Sequence, residues 1–187
     1  MDQVETLFDV MYRRRSVRVY QDSKAVGRDQ IIMLLKAAMS APSACNLQPW
    51  EFIVVDEKDG LAQLKGCIGS DNGRYYNAPA AFVVCANTRY IPWESDGAMD
   101  CSAAIENILL AVTAMGLGAV WIGDIDGDAI RKLLEIPDHV AVISVVLFGY
   151  PAEDKTPRTQ YAEEAVYWQK YEPERQHPSR TTDLKYL

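Results

Sequence analysis

Residues 98–123 have the sequence AMDCSAAIENILLAVTAMGLGAVWIG, and this stretch is the most informative one for predicting the fold. The part 98–115 is predicted as a helix whose apolar side chains leave almost no polar face. A helix that is apolar all round is a buried helix, and in a chain this short a subunit interface is one way to bury it. Gly116 is the expected residue just past the helix C-terminus, and a short strand, 119–122, follows.

The sequence on both sides of this helix indicates a sheet covered by further helices. Apolar runs at 80–86 and 140–148 predict central strands covered on both faces, and 51–55 predicts another strand. Helical periodicity predicts helices at 2–13 with an Asp2–Glu5 capping box, 29–40 with Asp29 as N-cap, 59–67, 128–135 and 163–171. We therefore expect an α+β fold, a three-layer α/β/α sandwich around a central mixed sheet of about four or five strands. Residues 1–171 form one domain, and the polar tail 172–187 either lies on the surface or wraps a partner subunit.

Composition and charge exclude several classes of protein. The chain has 187 residues, of which 49% are hydrophobic and 24% charged, so it is not a disordered chain. Its net charge of −7 argues against nucleic-acid or anionic-membrane binding, which needs a basic face. The longest apolar runs, 108–115 and 140–149, are too short to span a bilayer, and no signal peptide is expected. Four cysteines without a C-x-x-C pair and only two histidines predict no metal site and a reduced, cytoplasmic protein.

Several familiar motifs fail on their context. Gly116-Leu117-Gly118 precedes a strand, whereas a dinucleotide-binding fingerprint follows one. The acidic residues between 124 and 135 have the spacing of a calcium loop, but Ala129 stands where that loop needs glycine, so we expect them to cap a helix. Ser43 has no evident histidine partner and Cys45 no activating base, so neither is predicted to be a nucleophile.

Three polar segments remain candidates for ligand binding. The arginines at 13, 14, 15 and 18 either complement the dipole of the first helix or bind a phosphate through guanidinium forks. The loop 42–50, PSACNLQPW, is either a turn whose side chains satisfy one another or a set of hydrogen-bonding groups for the edge of a heterocycle. Lys155 and Arg158 are either solvated charges or join the arginines around one phosphate.

Four motifs occur in order along the chain, and together they resemble a known family. They are RRSVR at 14–18, APS at 41–43 with NLQPW at 46–50, GLGAVWIG at 116–123 and FGYP at 148–151. This combination, covering about residues 5–168, resembles the nitroreductase family of FMN-dependent oxidoreductases. The resemblance implies a nitroreductase-like α+β sandwich that forms an intertwined homodimer, with two FMN sites at the subunit interface, each built from both chains.

The resemblance also implies which residues hold the cofactor. The FMN phosphate, ribityl chain and pyrimidine edge are assigned to Arg14, Arg15, Ser16 and Arg18. The residues assigned to pack on the flavin from the other subunit are Pro42, Ser43, Ala44 and Asn46. Near flavin N5 the assignment is Trp121 with the backbone of Ile122 and Gly123, and the C-terminal phosphate contacts are Lys155 and Arg158, of which Arg158 matches better. Arg74, or Asn72 in another register, is assigned to the N1–C2 oxygen edge.

On this interpretation, hydride moves from NADH or NADPH through flavin N5 to a small acceptor, namely a nitroaromatic, a quinone or a flavin, with ping-pong kinetics. FMN carries the chemistry, so no catalytic side chain is expected. Two alternatives stay open: a non-enzymatic flavin-binding or redox-sensing module, and a flavin-fragmenting or dehalogenating relative on the same fold. The lack of a long lid disfavours the latter. The choice between NADH and NADPH depends on a few pocket contacts and stays open.

Overall fold

The computed structural model describes residues 2–22, 24–69, 77–91, 96–157 and 161–175. The chain forms two compact units, residues 1–157 and 158–187. In the first unit the helices are α1 (Gln3–Arg13), α2 (Arg28–Ala38), α3 (Lys58–Lys65), α4 (Asp96–Ala114) and α5 (Gly127–Leu133). The strands are β1 (Trp50–Val55), β2 (Ala80–Asn87), β3 (Gly118–Ile122) and β4 (Val140–Gly149). In the second unit, the described part contains one 3-10 turn, Glu163–Ala165.

The four strands form one sheet in the order β1-β2-β4-β3. All three strand pairings are antiparallel, and parallel pairing is limited to a single bridge between Ser16 and Ala119. The α+β class and the strand count are confirmed, but the expected mixed sheet is wrong for the strands described. An apolar run predicts that a strand is covered on both faces, and it carries no information about the direction of the neighbouring strands.

Helices cover both faces of the sheet, which makes the three layers. Alternate residues of β2 point to opposite faces: Phe82 and Val84 pack with α2 and α4, whereas Val83 and Cys85 pack toward α3 and α5. Every residue of β2 is buried, as expected for a central strand. The two faces therefore carry two apolar clusters, and the helices complete them with side chains including Leu34, Ile105, Leu64 and Ile130.

The helix ends show which local predictions hold. The Asp2–Glu5 capping box is present at α1, and Gly116 adopts φ +70° after α4, as expected of a C-terminal glycine. Asp29 is not the N-cap of α2: the helix begins one residue earlier, and Gln30 accepts a hydrogen bond of 3.1 Å from the Gly27 N–H. The predicted helix 163–171 is only a 3-10 turn, because a short polar helix needs a buried face to be stable.

Helix α4 is a core helix with one exposed end. Its buried side chains include Ile105, Ile108 and Val112, while Met99 near its start is 61% exposed. Among the described residues, Gly97–Ala114 is the one helical segment long and apolar enough to cross a membrane by length and composition. Its inward face, however, belongs to the cluster under the sheet, which is the position of a core helix in a globular protein.

Helix α1 exposes the apolar side of an amphipathic helix. None of its residues is buried, and the exposed fraction of its large apolar side chains lies between 42% and 61%. We call this set the apolar face of α1; its residues are Val4, Leu7, Phe8, Met11 and Tyr12. A contiguous exposed apolar surface of this kind marks an interaction site more often than a solvated one.

Candidate functional site

Residues 14–18, the arginine segment, lie beside the start of β3. The Val17 N–H donates to the Ala119 carbonyl at 2.9 Å, and further on the Gln21 N–H donates to the Tyr150 carbonyl at 2.9 Å. The segment therefore extends the sheet past the edge of β3 and the end of β4. These backbone hydrogen bonds fix the path of the segment and do not depend on its arginine side chains.

Two features of the core make this close approach possible. Gly118 has no side chain, and a Cβ placed there would lie 2.7 Å from the Val17 Cβ. Tyr20 is almost fully buried, and its hydroxyl donates to the Val17 carbonyl at 2.6 Å. Thus a missing side chain on one side and a buried hydroxyl on the other fix Val17, and with it the backbone of the arginine segment.

The segment that follows β4 lies against the arginine segment, and the two together form a cluster of charged side chains. The Glu153 carboxylate accepts from the Arg18 N–H at 2.7 Å and lies 2.9 Å from the Lys155 ammonium. Lys155 also donates to the Ser16 carbonyl at 2.7 Å, and the Arg15 guanidinium donates to the carbonyl of Thr156. The structure thus brings together four residues that the sequence assigned to the phosphate site: Arg15, Ser16, Arg18 and Lys155.

Charge and burial differ among the groups of this cluster. Burial alone would raise the pKa of Glu153, but hydrogen bonds from the Arg18 N–H and Lys155 hold that pKa below its usual range. The Nε of Arg18 is buried without a hydrogen-bond partner among the described residues. A buried donor without an acceptor is costly, so this nitrogen is suited to an anionic ligand.

Arg14 lies apart from these contacts, next to α4. Its Nε is 3.8 Å from the Glu106 carboxylate, and both side chains are substantially exposed. Burial raises the pKa of Glu106, and the neighbouring Arg14 opposes that shift. An exposed pair at this distance contributes little to stability, so Arg14 is free to turn toward a ligand.

The loop 42–48 is held by contacts within itself and to α4. The Asp100 carboxylate accepts from the Ala44 N–H at 3.0 Å. The Gln48 N–H donates to the Ser43 hydroxyl, and the Gln48 amide donates to the Asn46 side chain, both at 3.0 Å. Within one chain, side chains of this loop therefore bond to the loop itself, and Pro42 at its start is exposed.

The backbone of this loop is nevertheless unusual. Cys45, Asn46 and Gln48 have φ of 49°, 57° and 50°, in the left-handed region that favours glycine and, to a lesser degree, asparagine. Each such residue costs of the order of 1 kcal/mol. Strain of this kind, kept in an exposed polar loop, is typical of a segment shaped for a ligand or a partner.

The third expected part of the site, residues 121–123, lies at the end of β3. Trp121 is 38% exposed, whereas Ile122 is buried, and the Ile122 carbonyl accepts from the Ser144 hydroxyl at 2.6 Å. A Cβ at Gly123 would meet no atom within 4 Å. This strand end therefore presents an open backbone surface beside an exposed aromatic ring.

Within one chain, the loop and the arginine segment lie at opposite ends of the sheet. The loop leads into Trp50, which pairs with Ala86, and Ala86 pairs in turn with Ala141. The arginine segment lies against Ala119, which pairs with Phe148. Ala141 and Phe148 are seven positions apart in β4, which corresponds to roughly 20 Å along the strand. Arg74, Asn72 and Arg158 lie outside the described residues.

Sequence reasoning did not find Glu153, Tyr20, Asp100 or Gly118 as parts of these arrangements. Glu153 and its donor Arg18 are 135 positions apart in the chain, and no local pattern marks such a pair. A weak signal existed for Glu153, which stands beside Lys155 just after the FGYP motif. Gly118 stands in the GLGAVWIG motif, but neither it nor Tyr20 gave a sign of its contact with Val17, because both roles depend on tertiary packing.

The structure defines an α+β protein with a cluster of basic residues beside the edge of its sheet, and comparison with known proteins gives its family. The nitroreductase family model matches residues 11–78 and 69–150, and the chain belongs to this family. A protein of Archaeoglobus fulgidus, named as a candidate NADH dehydrogenase/NAD(P)H nitroreductase, is 43% identical over 81% of this chain and 89% of its own. The family and the oxidoreductase class expected from the motifs are thereby confirmed.

Solved structures agree with this placement. A candidate NADH dehydrogenase/NAD(P)H nitroreductase from Bacteroides thetaiotaomicron superposes with a TM-score of 0.80 at 34% identity, covering 88% of this chain and 98% of its own. An FMN-dependent nitroreductase from Clostridium difficile R20291 has a TM-score of 0.79 at 30% identity, covering 88% of this chain and 99% of its own. Both alignments extend over nearly the whole of the compared chains, so the similarity covers the fold and not one motif.

Proposed function

We propose that this protein is a homodimeric, FMN-dependent oxidoreductase that moves hydride from NADH or NADPH to a small acceptor such as a nitroaromatic, a quinone or a flavin. The observation that carries the proposal is the cationic cluster of Arg15, Arg18 and Lys155 on an otherwise acidic chain. It includes a buried guanidinium nitrogen without a partner among the described residues. A phosphate accepts several charge-assisted hydrogen bonds from such a set.

The residues present fit an FMN phosphate. Arg15 and Arg18 would hold the phosphate, and the open strand end at Trp121–Gly123 would lie along the ring. The ion pair of Arg14 with Glu106 is long, at 3.8 Å, and would compete only weakly with the phosphate. When bound, FMN supplies hydride chemistry at its N5, and the protein supplies binding, orientation and exclusion of water. Donor and acceptor would use the same ring face in turn, which predicts ping-pong kinetics.

The site is proposed to form between two copies of the chain. In one copy the loop 42–48 and the arginine segment are roughly 20 Å apart along the sheet, which favours a site whose loop comes from a second copy. Pro42, Ser43, Ala44 and Asn46 would therefore come from the second copy. The apolar face of α1, together with Met33 and Met99, offers the surface that a stable dimer buries.

The decisive experiment is an anaerobic visible spectrum of the purified protein, before and after addition of NADH or NADPH. We expect oxidised flavin bands that bleach on addition, and the donor that bleaches them faster is the preferred coenzyme. Sustained oxidation of that donor after addition of a quinone distinguishes an enzyme from a flavin-binding sensor. A colourless protein that takes up no added FMN would contradict the proposal.

A variant of the basic cluster tests the site itself. Arg18→Ala removes the buried guanidinium and should weaken FMN binding by about two orders of magnitude, because a charge-assisted contact to phosphate is lost. Arg89→Ala is the matched control, since Arg89 is an exposed arginine outside the cluster. Equal FMN affinities for the two variants would remove Arg18 from the site.

The proposal also places the protein in the cytoplasm, in keeping with four free cysteines.

A further inference from the structure

A carboxylate lies in the middle of the proposed phosphate site. Glu153 belongs to the same cluster as Arg15, Arg18 and Lys155, and its side chain is only 26% exposed. A negative charge beside a phosphate is repulsive, so its presence there needs an explanation other than ligand contact.

The contacts of Glu153 supply that explanation. One carboxylate oxygen, Oε1, accepts from the Arg18 N–H at 2.7 Å and lies 2.9 Å from the Lys155 Nζ. Lys155 in turn donates to the Ser16 carbonyl at 2.7 Å. The charge of Glu153 is therefore matched by Lys155, and together the two side chains join the backbone on both sides of Val17.

Further bonds join the same two segments. The Arg15 guanidinium donates to the Thr156 carbonyl, and the Ala152 N–H donates to the Val19 carbonyl at 2.9 Å. These contacts tie residues 15–19 to residues 152–156. Of these, the contacts of Glu153 are the only ones in which one side chain holds both a backbone N–H and a charged group.

We propose that Glu153 is a positioning residue for the FMN phosphate, which fixes the Arg18 backbone and the Lys155 ammonium before the cofactor binds. The inference rests on the proposed function. A site whose cations are already in place loses less conformational freedom on binding, so its ligand affinity is higher. Lys155 then acts by holding the Ser16 carbonyl and Glu153 in place, and the arginines contact the phosphate.

The test compares FMN with riboflavin, which is the same ring and ribityl chain without the phosphate. Dissociation constants are measured by quenching of flavin fluorescence in the wild-type protein, in Glu153→Gln and in Asp154→Asn. Asp154 is the neighbouring exposed carboxylate. Its variant changes the net charge equally and leaves the contacts of Glu153 with the Arg18 N–H and Lys155 in place. We expect Glu153→Gln to weaken FMN binding by about tenfold, to leave riboflavin binding within about twofold, and Asp154→Asn to match wild type.

Each other outcome overturns the proposal. Unchanged or tighter FMN binding in Glu153→Gln would mean that the carboxylate merely repels the phosphate. Equal loss for both flavins would mean a general structural role. If Glu153→Gln does not fold, Glu153→Asp withdraws the carboxylate by one methylene and must also lower the preference for FMN over riboflavin. A wild-type protein that binds neither flavin overturns the proposed function itself, whereas an FMN preference equal in wild type and variant overturns only this inference.

Discussion

Gly118→Ala is the substitution that tests most directly how packing positions the arginine segment. The added Cβ would lie 2.7 Å from the Val17 Cβ and 2.8 Å from both Val17 methyl carbons. Ordinary contacts between carbon atoms are about 3.5–4.0 Å, so Val17 has to move by about 1 Å. The Val17 side chain is buried and its carbonyl is held by the Tyr20 hydroxyl, which leaves it little room to do so.

The cost follows from these contacts. A displacement of about 1 Å lengthens the bond of 2.9 Å between the Val17 N–H and the Ala119 carbonyl beyond hydrogen-bonding range, which costs about 1 kcal/mol. Overpacking adds about 1–3 kcal/mol. For a chain of this size the sum lowers Tm by roughly 5–15 °C. The displaced arginines should also bind FMN more weakly than those of the wild type.

Thermal unfolding followed by circular dichroism, with an FMN titration of the folded variant, measures both effects. Gly127→Ala is the control, because a Cβ there meets Val142 at an ordinary 3.9 Å in the first turn of α5. We expect the control to be neutral or stabilised by less than about 1 kcal/mol. A Tm of Gly118→Ala within about 2 °C of the wild type would refute the argument from packing.

Three further predictions concern other parts of the molecule. Leu7→Glu on the apolar face of α1 should dissociate the proposed dimer in sedimentation experiments with an unchanged circular dichroism spectrum, whereas Gln3→Glu should not; a dimer that survives Leu7→Glu would place the interface elsewhere. Because the pKa of Glu153 is lower in the folded state than in the unfolded state, its stabilising effect is complete above about pH 4.3 and is lost as the pH falls through the folded value. The difference in unfolding free energy between wild type and Glu153→Gln should thus be constant from pH 7 to about pH 5 and vanish in stronger acid, and a difference that persists there would contradict the ionised contact. Burial raises the pKa of Cys85 and of Cys101 to about 12, so iodoacetamide at pH 8 should label neither until the protein is unfolded, and labelling of either in the folded protein would show that the core opens.

Sequence patterns predicted those parts of the fold that depend on local periodicity. The strand β2 and the helix α4 were correctly placed, because a run that is apolar on both faces has few alternatives to the interior. The prediction of Asp29 as N-cap of α2 is wrong because the helix begins at Arg28, and the side chain of Gln30 accepts a hydrogen bond from the Gly27 N–H. The strand directions depend on connections that no single segment encodes.

The candidate site was predictable only in part. Four motif residues, Arg15, Ser16, Arg18 and Lys155, do lie together, although their contact with FMN stays a prediction. The contacts that hold these four residues in place could not be predicted from the sequence, because Glu153, Tyr20 and Gly118 act across long separations in the chain. The assignments of Pro42–Asn46 and of Trp121–Gly123 to the flavin also stay predictions, and the first of them depends on a second copy of the chain.

The separation of loop and arginine segment at opposite ends of one sheet has a genetic consequence. If each site takes its arginines from one subunit and its loop from the other, a chain defective in Arg18 and a chain defective in the loop are each inactive alone. Co-expressed, they form mixed dimers in which one site inherits both defects and the other inherits neither. Two null alleles of this gene should therefore complement each other whenever their lesions lie at opposite ends of the sheet, and fail to do so when the lesions lie at the same end.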